Sequence, residues 1–254
     1  MERTAKTYGK AAIIGQLKQD ILRLEGFRPE SEESPLRFGL GPLEKVFPYG
    51  IFPVAAIHEF LCDRDEQFSA CKGFLSVLLA VLMQEQKACI WISPFPQVFP
   101  AALSSFGLSP DRIIFIQLRR DRDILWAMEE ALKCSGVAAV VAELQDLSFA
   151  ASRRLQLAVE RSRVTGFVLR RNSRKINTTA CVARWRISPL PSKLNGEMPG
   201  VGFPQWRTEL LKVKNGQADT WDITWTPQGV AVTNNKQNLI PTLRKMMERD
   251  KTAS

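Results

Sequence analysis

The chain has 254 residues, of which 45% are hydrophobic, and this is enough for one large globular domain; its formal net charge is +9. No apolar run approaches the roughly 18 residues that a membrane-spanning helix needs, and no secretory signal pattern follows the N-terminus, so we expect a cytoplasmic protein. Five cysteines without Cys-x-x-Cys spacing and a single histidine, His58, argue against a metal site, and we expect no cofactor.

The first predicted element is an amphipathic helix over Ala11–Leu24, because its apolar residues recur at helical spacing. An acidic linker with Pro and Ser residues, Gly26–Pro35, follows it. We therefore predict three parts: an N-terminal helix and linker over residues 1–35, a core domain over 36–230, and a basic helix and tail over 231–254. A tethered helix of this kind docks either on its own domain or on another chain.

Short apolar runs that are typical of buried strands alternate with longer helical segments through the middle of the chain. Predicted strands cover Ala55–Cys62, Lys87–Ile92, Arg112–Gln117, Val137–Ala142 and Gly166–Leu169, and predicted helices cover Phe74–Gln84, Gln97–Phe106, Arg122–Lys133 and Ser148–Arg163. This α/β alternation predicts right-handed crossovers and a mostly parallel sheet. Strands without helices between them follow at Thr179–Ile187, Arg207–Lys214 and Thr220–Trp225, so we predict an antiparallel, β-rich C-terminal part.

The junction between the first strand and its helix is where a nucleotide-binding protein carries Gly-x-x-x-x-Gly-Lys-Ser/Thr. The predicted loop here, Asp63–Gly73, has one glycine, which follows its lysine, and three carboxylates where phosphate charge would lie. A phosphate cradle needs glycines because backbone N–H groups must converge on the anion. The sequence thus predicts a nucleotide-binding architecture without a working phosphate loop.

The positive charge is concentrated in one window. Between Arg153 and Arg186 there are ten basic residues and one acid, Glu160. This clustering favours contact with nucleic acid or an acidic partner, the alternative being a solvated face. The candidate contact residues are Arg153, Arg154, Arg161, Arg163, Arg170, Arg171, Arg174, Lys175, Arg184 and Arg186. Trp185 would face away from its two neighbouring arginines on a strand, so we predict that it lies in the core.

The last predicted element is a short helix, Ile240–Arg249, which is basic on balance. Its apolar residues predict either a stripe that binds a partner or a cap on the core. The candidate partner-binding residues are Leu239, Leu243, Arg244, Met246 and Met247.

The order of these elements resembles the RecA core, which implies a three-layer fold. Three motifs narrow the resemblance to the ImuA family, the RecA/SulA-like accessory proteins of bacterial mutagenic repair. They are Gly50–Phe60 (GIFPVAAIHEF), Arg184–Ser192 (RWRISPLPS) and Phe203–Gly216, with Trp221 and Trp225 after it. The resemblance covers roughly residues 10–226, nearly the whole chain.

The resemblance places the catalytic positions of a RecA-like ATPase on this chain. Lys72 and Gly73 stand nearest the phosphate-loop lysine, but Phe74 follows where a hydroxyl would bind Mg²⁺. Phe95 stands in the place of the water-activating glutamate and cannot act as a base. Glu143 stands in the place of the strand-end carboxylate that holds Mg²⁺, although local pairing explains it more simply. Phosphoryl transfer needs these parts together, so we expect no enzyme activity and a degenerate nucleotide site.

By resemblance, the chain is a non-catalytic adaptor in SOS-induced mutagenic translesion DNA synthesis. The implied partners are an ImuB-like Y-family polymerase homologue and an error-prone DNA polymerase III α-type subunit, with RecA and DNA as further candidates. Two alternatives stay open: a SulA-like inhibitor of cell division, and a nucleotide-dependent DNA-binding RecA paralogue. The SulA-like alternative leaves the basic window unexplained, because such an inhibitor needs no DNA contact.

Overall fold

The structure, a computed structural model, describes residues 38–84, 87–95, 98–171, 176–193 and 202–235, together with Ile13, Ile14 and Leu17. Its helices are α1 (Asp65–Leu82), α2 (Pro100–Ser104), α3 (Asp121–Leu132) and α4 (Phe149–Ser162). Its strands are β1 (Ile57–Cys62), β2 (Ala88–Ser93), β3 (Ile113–Gln117), β4 (Val137–Leu144), β5 (Thr165–Arg171), β6 (Ala183–Lys193), β7 (Phe203–Val213), β8 (Asp219–Thr226) and β9 (Gly229–Asn235).

Strands β1 to β9 form one sheet in the order β3-β2-β4-β5-β1-β6-β7-β8-β9. Neighbouring strands are parallel from β3 to β6 and antiparallel from β6 to β9. The prediction of an α/β fold with a mostly parallel centre and an antiparallel C-terminal part is therefore confirmed. Strand β1 lies between β5 and β6, at the junction of the two parts.

The structure changes the limits of several predicted elements. Strand β6 starts at Ala183 rather than Thr179 and passes through Pro189 and Pro191. These prolines are tolerated because β1 pairs only with the first residues of β6, up to Trp185, so one side of the strand has no partner further on. Strand β9 was not predicted, and it extends the sheet to Asn235. The predicted boundary between residues 230 and 231 lies within this strand.

Each face of the sheet carries its own apolar layer. On one face, α1 and the segment 38–56 cover a cluster that includes Phe60, Phe74, Trp185 and Trp206. On the other face, α3 and α4 cover an aliphatic cluster that includes Ile57. Trp185 is fully buried, which confirms its predicted place in the core. The layers match the predicted three-layer architecture.

The structure describes three residues of the predicted N-terminal helix and all five cysteines. Ile13, Ile14 and Leu17 are helical and roughly half exposed, and the rest of the predicted helix Ala11–Leu24 lies outside the described residues. The five cysteines are free, and all except Cys134 are buried. In the part of the chain that the structure describes, no helix is long and apolar enough to cross a membrane, and no group of His, Cys, Asp and Glu could hold a metal ion.

The single histidine belongs to the aromatic layer. His58 stacks on Phe52 with ring centroids 4.7 Å apart, and the indole N–H of Trp185 donates to its Nδ1 at 3.4 Å. Because an indole N–H can only donate, the imidazole proton lies on Nε2, which donates to the carbonyl oxygen of Pro53 at 2.7 Å. Burial lowers the pKa of His58 to about 4, so the ring is neutral at pH 7 and its role is structural.

We predict that mild acid destabilises the fold through His58. Between the unfolded pKa of 6.5 and the folded pKa of about 4, the unfolded chain binds more protons, so stability falls as the pH falls. The stability that the fold gains from keeping His58 neutral is complete above pH 6.5, and about 2 kcal/mol of it should be lost at pH 5.

Urea denaturation at pH 7 and pH 5 measures this effect. The variant His58→Gln has no imidazole to titrate, so its loss of stability between the two pH values should be smaller than that of the wild type. Equal losses in the two proteins would contradict the assignment to His58.

Candidate functional site at the carboxyl end of the parallel strands

The β1–α1 connection is the place where a RecA-like ATPase would hold phosphate, and here only two residues separate the strand from the helix. The predicted loop Asp63–Gly73 is wrong, because the residues from Asp65 onward belong to α1. Gln67 stabilises this tight connection. Its Oε1 accepts a hydrogen bond from the backbone N–H of Asp63 at 2.9 Å, and its Nε2 donates to Oγ of Ser188 at 3.0 Å. The connection is therefore too short to wrap a phosphate group.

Acidic side chains take the position of the anion at the start of α1. Asp65 and Glu66 lie in the first turn of this helix, and both are exposed. Their carboxylates complement the positive end of the helix dipole, which is the role that phosphate has in nucleotide-binding proteins. A triphosphate would meet like charge at this helix end.

Lys72 and Gly73, the predicted remnant of a phosphate loop, lie inside α1. The ammonium nitrogen of Lys72 is 4.6 Å from the ring centroid of Phe68, one turn earlier. A Cβ atom on Gly73 would lie 2.9 Å from Cζ2 of the buried Trp206. The glycine is therefore explained by close packing of α1 on β7 rather than by approach of a phosphate.

Glu143 is buried beneath these residues near the end of β4. Its Oε1 accepts a hydrogen bond from the indole N–H of Trp91 at 3.1 Å, and its Oε2 has no hydrogen-bond partner among the described residues. Burial raises the pKa of Glu143, while the Trp91 N–H and the charges of Lys72 and Arg171 oppose that rise. The guanidinium of Arg171 also lies 3.8 Å from the ring centroid of Phe68. We call Phe68, Lys72, Glu143 and Arg171 the Glu143 cluster.

A second charged group, Glu59, lies at the centre of the sheet and is fully buried. Its Oε1 accepts from Nη1 of Arg170 at 2.7 Å, and its Oε2 accepts from Nε of Arg184 at 2.7 Å. The hydroxyl of Thr179 also donates to Oε2 at 2.9 Å, and Nη2 of Arg170 donates to Asp146 at 2.8 Å. We call these five residues the Glu59 network, in which every charge has an opposite partner.

The Glu59 network corrects the predicted set of contact residues. Arg170 and Arg184 are 2% and 8% exposed, so neither guanidinium can reach a nucleic acid phosphate. Sequence reasoning missed Glu59 because it stands in an apolar run. The available signal was a lone carboxylate in a strand that is otherwise buried, since a buried charge needs a partner. The strand register supplies that partner by placing Glu59 directly opposite Arg184.

Three of the predicted basic residues share one exposed surface. They lie on the solvent side of α4, on the face that also carries the exposed side chains of Phe149 and Leu157: Arg153, Arg154 and Arg161. We call these three the α4 basic face. Arg153 lies 3.6 Å from Glu160, and Arg154 pairs with Glu129 of α3. Exposed pairs of this kind are weak, so a phosphate or a partner carboxylate can replace them.

The other predicted basic residues lie elsewhere. Arg163 ends α4 in the left-handed conformation, Arg171 belongs to the Glu143 cluster, and Arg186 lies 3.7 Å from Asp63. Several predicted residues lie outside the described part of the chain: Arg174, Lys175, Leu239, Leu243, Arg244, Met246 and Met247. The structure therefore divides the basic window by location, and the sequence pattern did not show this division.

A furrow runs between α3 and α4 beside the α4 basic face. It consists of two cavities of about 930 and 410 Å³ that share Glu129 and Arg154. Trp126 lines the smaller cavity with 63% of its surface exposed. Exposed tryptophan beside arginine is typical of protein contact surfaces, so the furrow and the α4 basic face form one candidate interface.

Known proteins resemble this chain in sequence and in fold. No family model matches the chain. Over 198 residues the chain is 32% identical to Protein ImuA from two strains of Caulobacter vibrioides, NA1000 and ATCC 19089, and the match covers 73% of this chain and 81% of each relative. The crystal structure of the RadB recombinase superposes with a TM-score of 0.52 at 16% identity, covering 77% of this chain and 98% of RadB. That likeness shows the fold, which is RecA-like.

We predict that Glu59→Gln strongly destabilises the protein. The amide leaves Arg184 without its counter-charge in the network and Arg170 with only the exposed carboxylate of Asp146, and breaking a buried ion pair in this way costs about 3–5 kcal/mol. The matched control is Glu160→Gln, which removes an exposed partner of Arg153 and should cost less than about 1 kcal/mol. Urea denaturation of both variants measures the difference. A similar small loss in the two variants would show that the network does not hold the sheet together.

Proposed function

The chain belongs to the ImuA family, and on that premise we propose that it serves mutagenic translesion DNA synthesis as a RecA-like adaptor that does not hydrolyse ATP. The observation that carries the proposal is the two-residue β1–α1 connection followed by two acids, Asp65 and Glu66, where a nucleotide-binding protein carries a glycine-rich phosphate loop. The proposed partners are an ImuB-like Y-family polymerase homologue and an error-prone DNA polymerase III α-type subunit, with RecA and DNA as further contacts.

Features at three positions of a phosphoryl-transfer site support the proposal that this chain does not hydrolyse ATP. The two-residue β1–α1 connection offers no phosphate cradle, and the acids at the start of α1 repel a triphosphate. Phe74, which follows Gly73, is fully buried and has no hydroxyl for Mg²⁺. Phe95, just after β2, is 54% exposed and cannot activate water. Because positioning and charge stabilisation act together in phosphoryl transfer, losing all three removes the reaction.

Without catalysis the protein acts through its surfaces. The candidate interface on α3 and α4 combines exposed Trp126, exposed Leu157 and the three arginines of the α4 basic face. Aromatic and arginine side chains dominate the binding energy of protein interfaces, and arginine also binds phosphate through paired hydrogen bonds. This surface supports a role in which the chain holds an acidic partner segment or a DNA backbone close to a polymerase.

We predict that Lys72→Met has no effect on function. The purified wild type should release no phosphate above a buffer blank, because its β1–α1 connection offers no phosphate cradle. A strain whose damage-induced mutation depends on this chain should keep its mutation frequency when Lys72→Met replaces the wild type. The deletion strain and the wild type set the lower and upper limits of that frequency.

Phosphate release that Lys72→Met abolishes would sink the adaptor proposal in favour of a nucleotide-dependent RecA paralogue. Cell filamentation on overexpression, with an unchanged mutation frequency in the deletion strain, would favour the SulA-like alternative instead. Co-purification with the ImuB-like partner tests the adaptor role directly. The adaptor proposal expects the two proteins to co-purify.

We predict that the α4 basic face contributes phosphate contacts. Replacing Arg153, Arg154 and Arg161 with Gln should weaken binding of single-stranded DNA, measured by fluorescence anisotropy. The slope of log affinity against log salt should fall by up to about two, since each phosphate contact on a single strand contributes about 0.7.

The matched control removes the same charge from residues that do not line the furrow, by replacing Lys45, Arg119 and Arg120 with Gln. All three of these side chains are exposed, so the fold should tolerate the change. If both triple variants lose affinity equally, the effect is one of net charge, and a specific contact on α4 is excluded.

A further inference from the structure

Strand β3 forms an edge of the sheet that its own sequence leaves unprotected. It pairs with β2 on one side, and among the described residues no strand lies on its other side. Natural proteins protect such an edge with a charged residue, a proline, a bulge or a covering element. The sequence of β3 is IIFIQ, which contains no charge and no proline, and its pairing with β2 is regular. This edge can therefore accept another strand.

The outer side of β3 is open on both faces of the sheet. Ile114 and Phe115 are 52% and 42% exposed. Because side chains alternate along a strand, these two neighbours point to opposite faces. Their exposure shows that no described helix covers the edge from either face. A strand that adds to this edge would cover both side chains.

The pairing with β2 shows which backbone groups of β3 face outward. The N–H of Leu118, just after β3, donates to the carbonyl oxygen of Ser93 in β2 at 3.1 Å. Backbone groups alternate between the two sides of a strand, so those of Ile113, Phe115 and Gln117 face away from β2. Each of these three residues offers one donor and one acceptor to an added strand.

The segment around β3 is complementary to a second copy of itself in one antiparallel register. When Phe115 lies opposite Phe115 of the second copy, Ile113 lies opposite Gln117, so every outward backbone group of β3 finds a partner. A shift of one residue would place the side chains on the wrong faces, and a shift of two residues would leave outward groups unpaired.

The charges that flank β3 favour the same register. It brings Asp111 of one copy towards Arg119 of the other, and both side chains are exposed. A shift of two residues would instead bring Asp111 towards Gln117 or towards Asp121. Exposed ion pairs add little stability, so this charge match selects the register and the partner more than it strengthens the pairing.

We propose that two copies of the chain pair through β3 in this antiparallel register and form one continuous sheet. Phe115 lies at the two-fold axis, and Ile114 packs beside Ile116 of the second copy. The pairing uses the open edge of both copies, so assembly stops at two. About six backbone hydrogen bonds make a small interface, and we therefore expect a weak dimer that depends on concentration.

The dimer would place both α4 basic faces on one side of the joined sheet. Residues that lie opposite each other on antiparallel strands share a face, so the two-fold axis is perpendicular to the sheet. The α3 and α4 helices of both copies then cover the same side. This consequence rests on the proposed role of the α4 basic face, whereas the pairing itself does not.

The mass of the full-length protein, measured by light scattering at increasing concentrations, tests the pairing. The wild type should approach twice its chain mass of 28.6 kDa as the concentration rises. Phe115→Lys and Phe115→Glu should each stay monomeric, because two like charges meet at the two-fold axis. An equal mixture of the two variants should recover the dimer, because the charges that meet are then opposite.

The matched control is Ile176→Lys, which adds the same charge at an exposed apolar residue after β5 and should dimerise like the wild type. Hydrogen exchange of the wild type gives a readout that needs no variant. The amides of Ile113, Phe115 and Gln117 should be better protected at high than at low protein concentration.

Four results would overturn the proposal. They are a wild type that is monomeric at every concentration, a dimer that survives Phe115→Lys, a mixture of folded charge variants that stays monomeric, and exchange of the β3 amides that does not change with concentration. Protection of these amides only after the ImuB-like partner is added would assign the edge to a strand of that partner instead.

Discussion

The buried carboxylate of Glu59 is the interaction on which the rest of the structure depends. It lies in β1, where the parallel part of the sheet meets the antiparallel part, and it binds one arginine from β5 and one from β6. Each of these charges would be costly to bury alone, so the three are stable only together. The charge-assisted hydrogen bonds therefore add side-chain links between three strands that backbone hydrogen bonds already pair.

The Glu59 network also fixes the chain at the carboxyl end of the sheet. Arg184 donates to the carbonyl oxygen of Asn177 at 2.7 Å, and Asn177 donates to the carbonyl oxygen of Leu147 at 2.9 Å. These bonds hold the segment before β6 against the end of β4. Two arginines of the predicted contact set are used to build this edge, whereas Arg153, Arg154 and Arg161 on α4 are exposed.

The β1–α1 connection and the Glu143 cluster lie where a RecA-like ATPase would hold phosphate. The short β1–α1 connection places acids at the start of the helix, and these acids stabilise the helix dipole in the way that phosphate does elsewhere. Gly73 serves packing against Trp206, and Glu143 pairs with Trp91. This is the physical basis of the proposal that a member of the ImuA family acts through surfaces.

The sequence by itself determined the type and order of most elements, because the period of apolar residues is a local property of the chain. It also determined the lack of a glycine-rich phosphate loop, which needs no neighbour to be recognised. Only the tertiary structure decided which arginines are exposed. Arg170 and Arg184 lie 111 and 125 positions along the chain from Glu59, so their burial became visible only when β5, β1 and β6 were aligned. The start of α1 at Asp65 was likewise decided by tertiary structure, because the tight connection before it depends on Ser188 of β6.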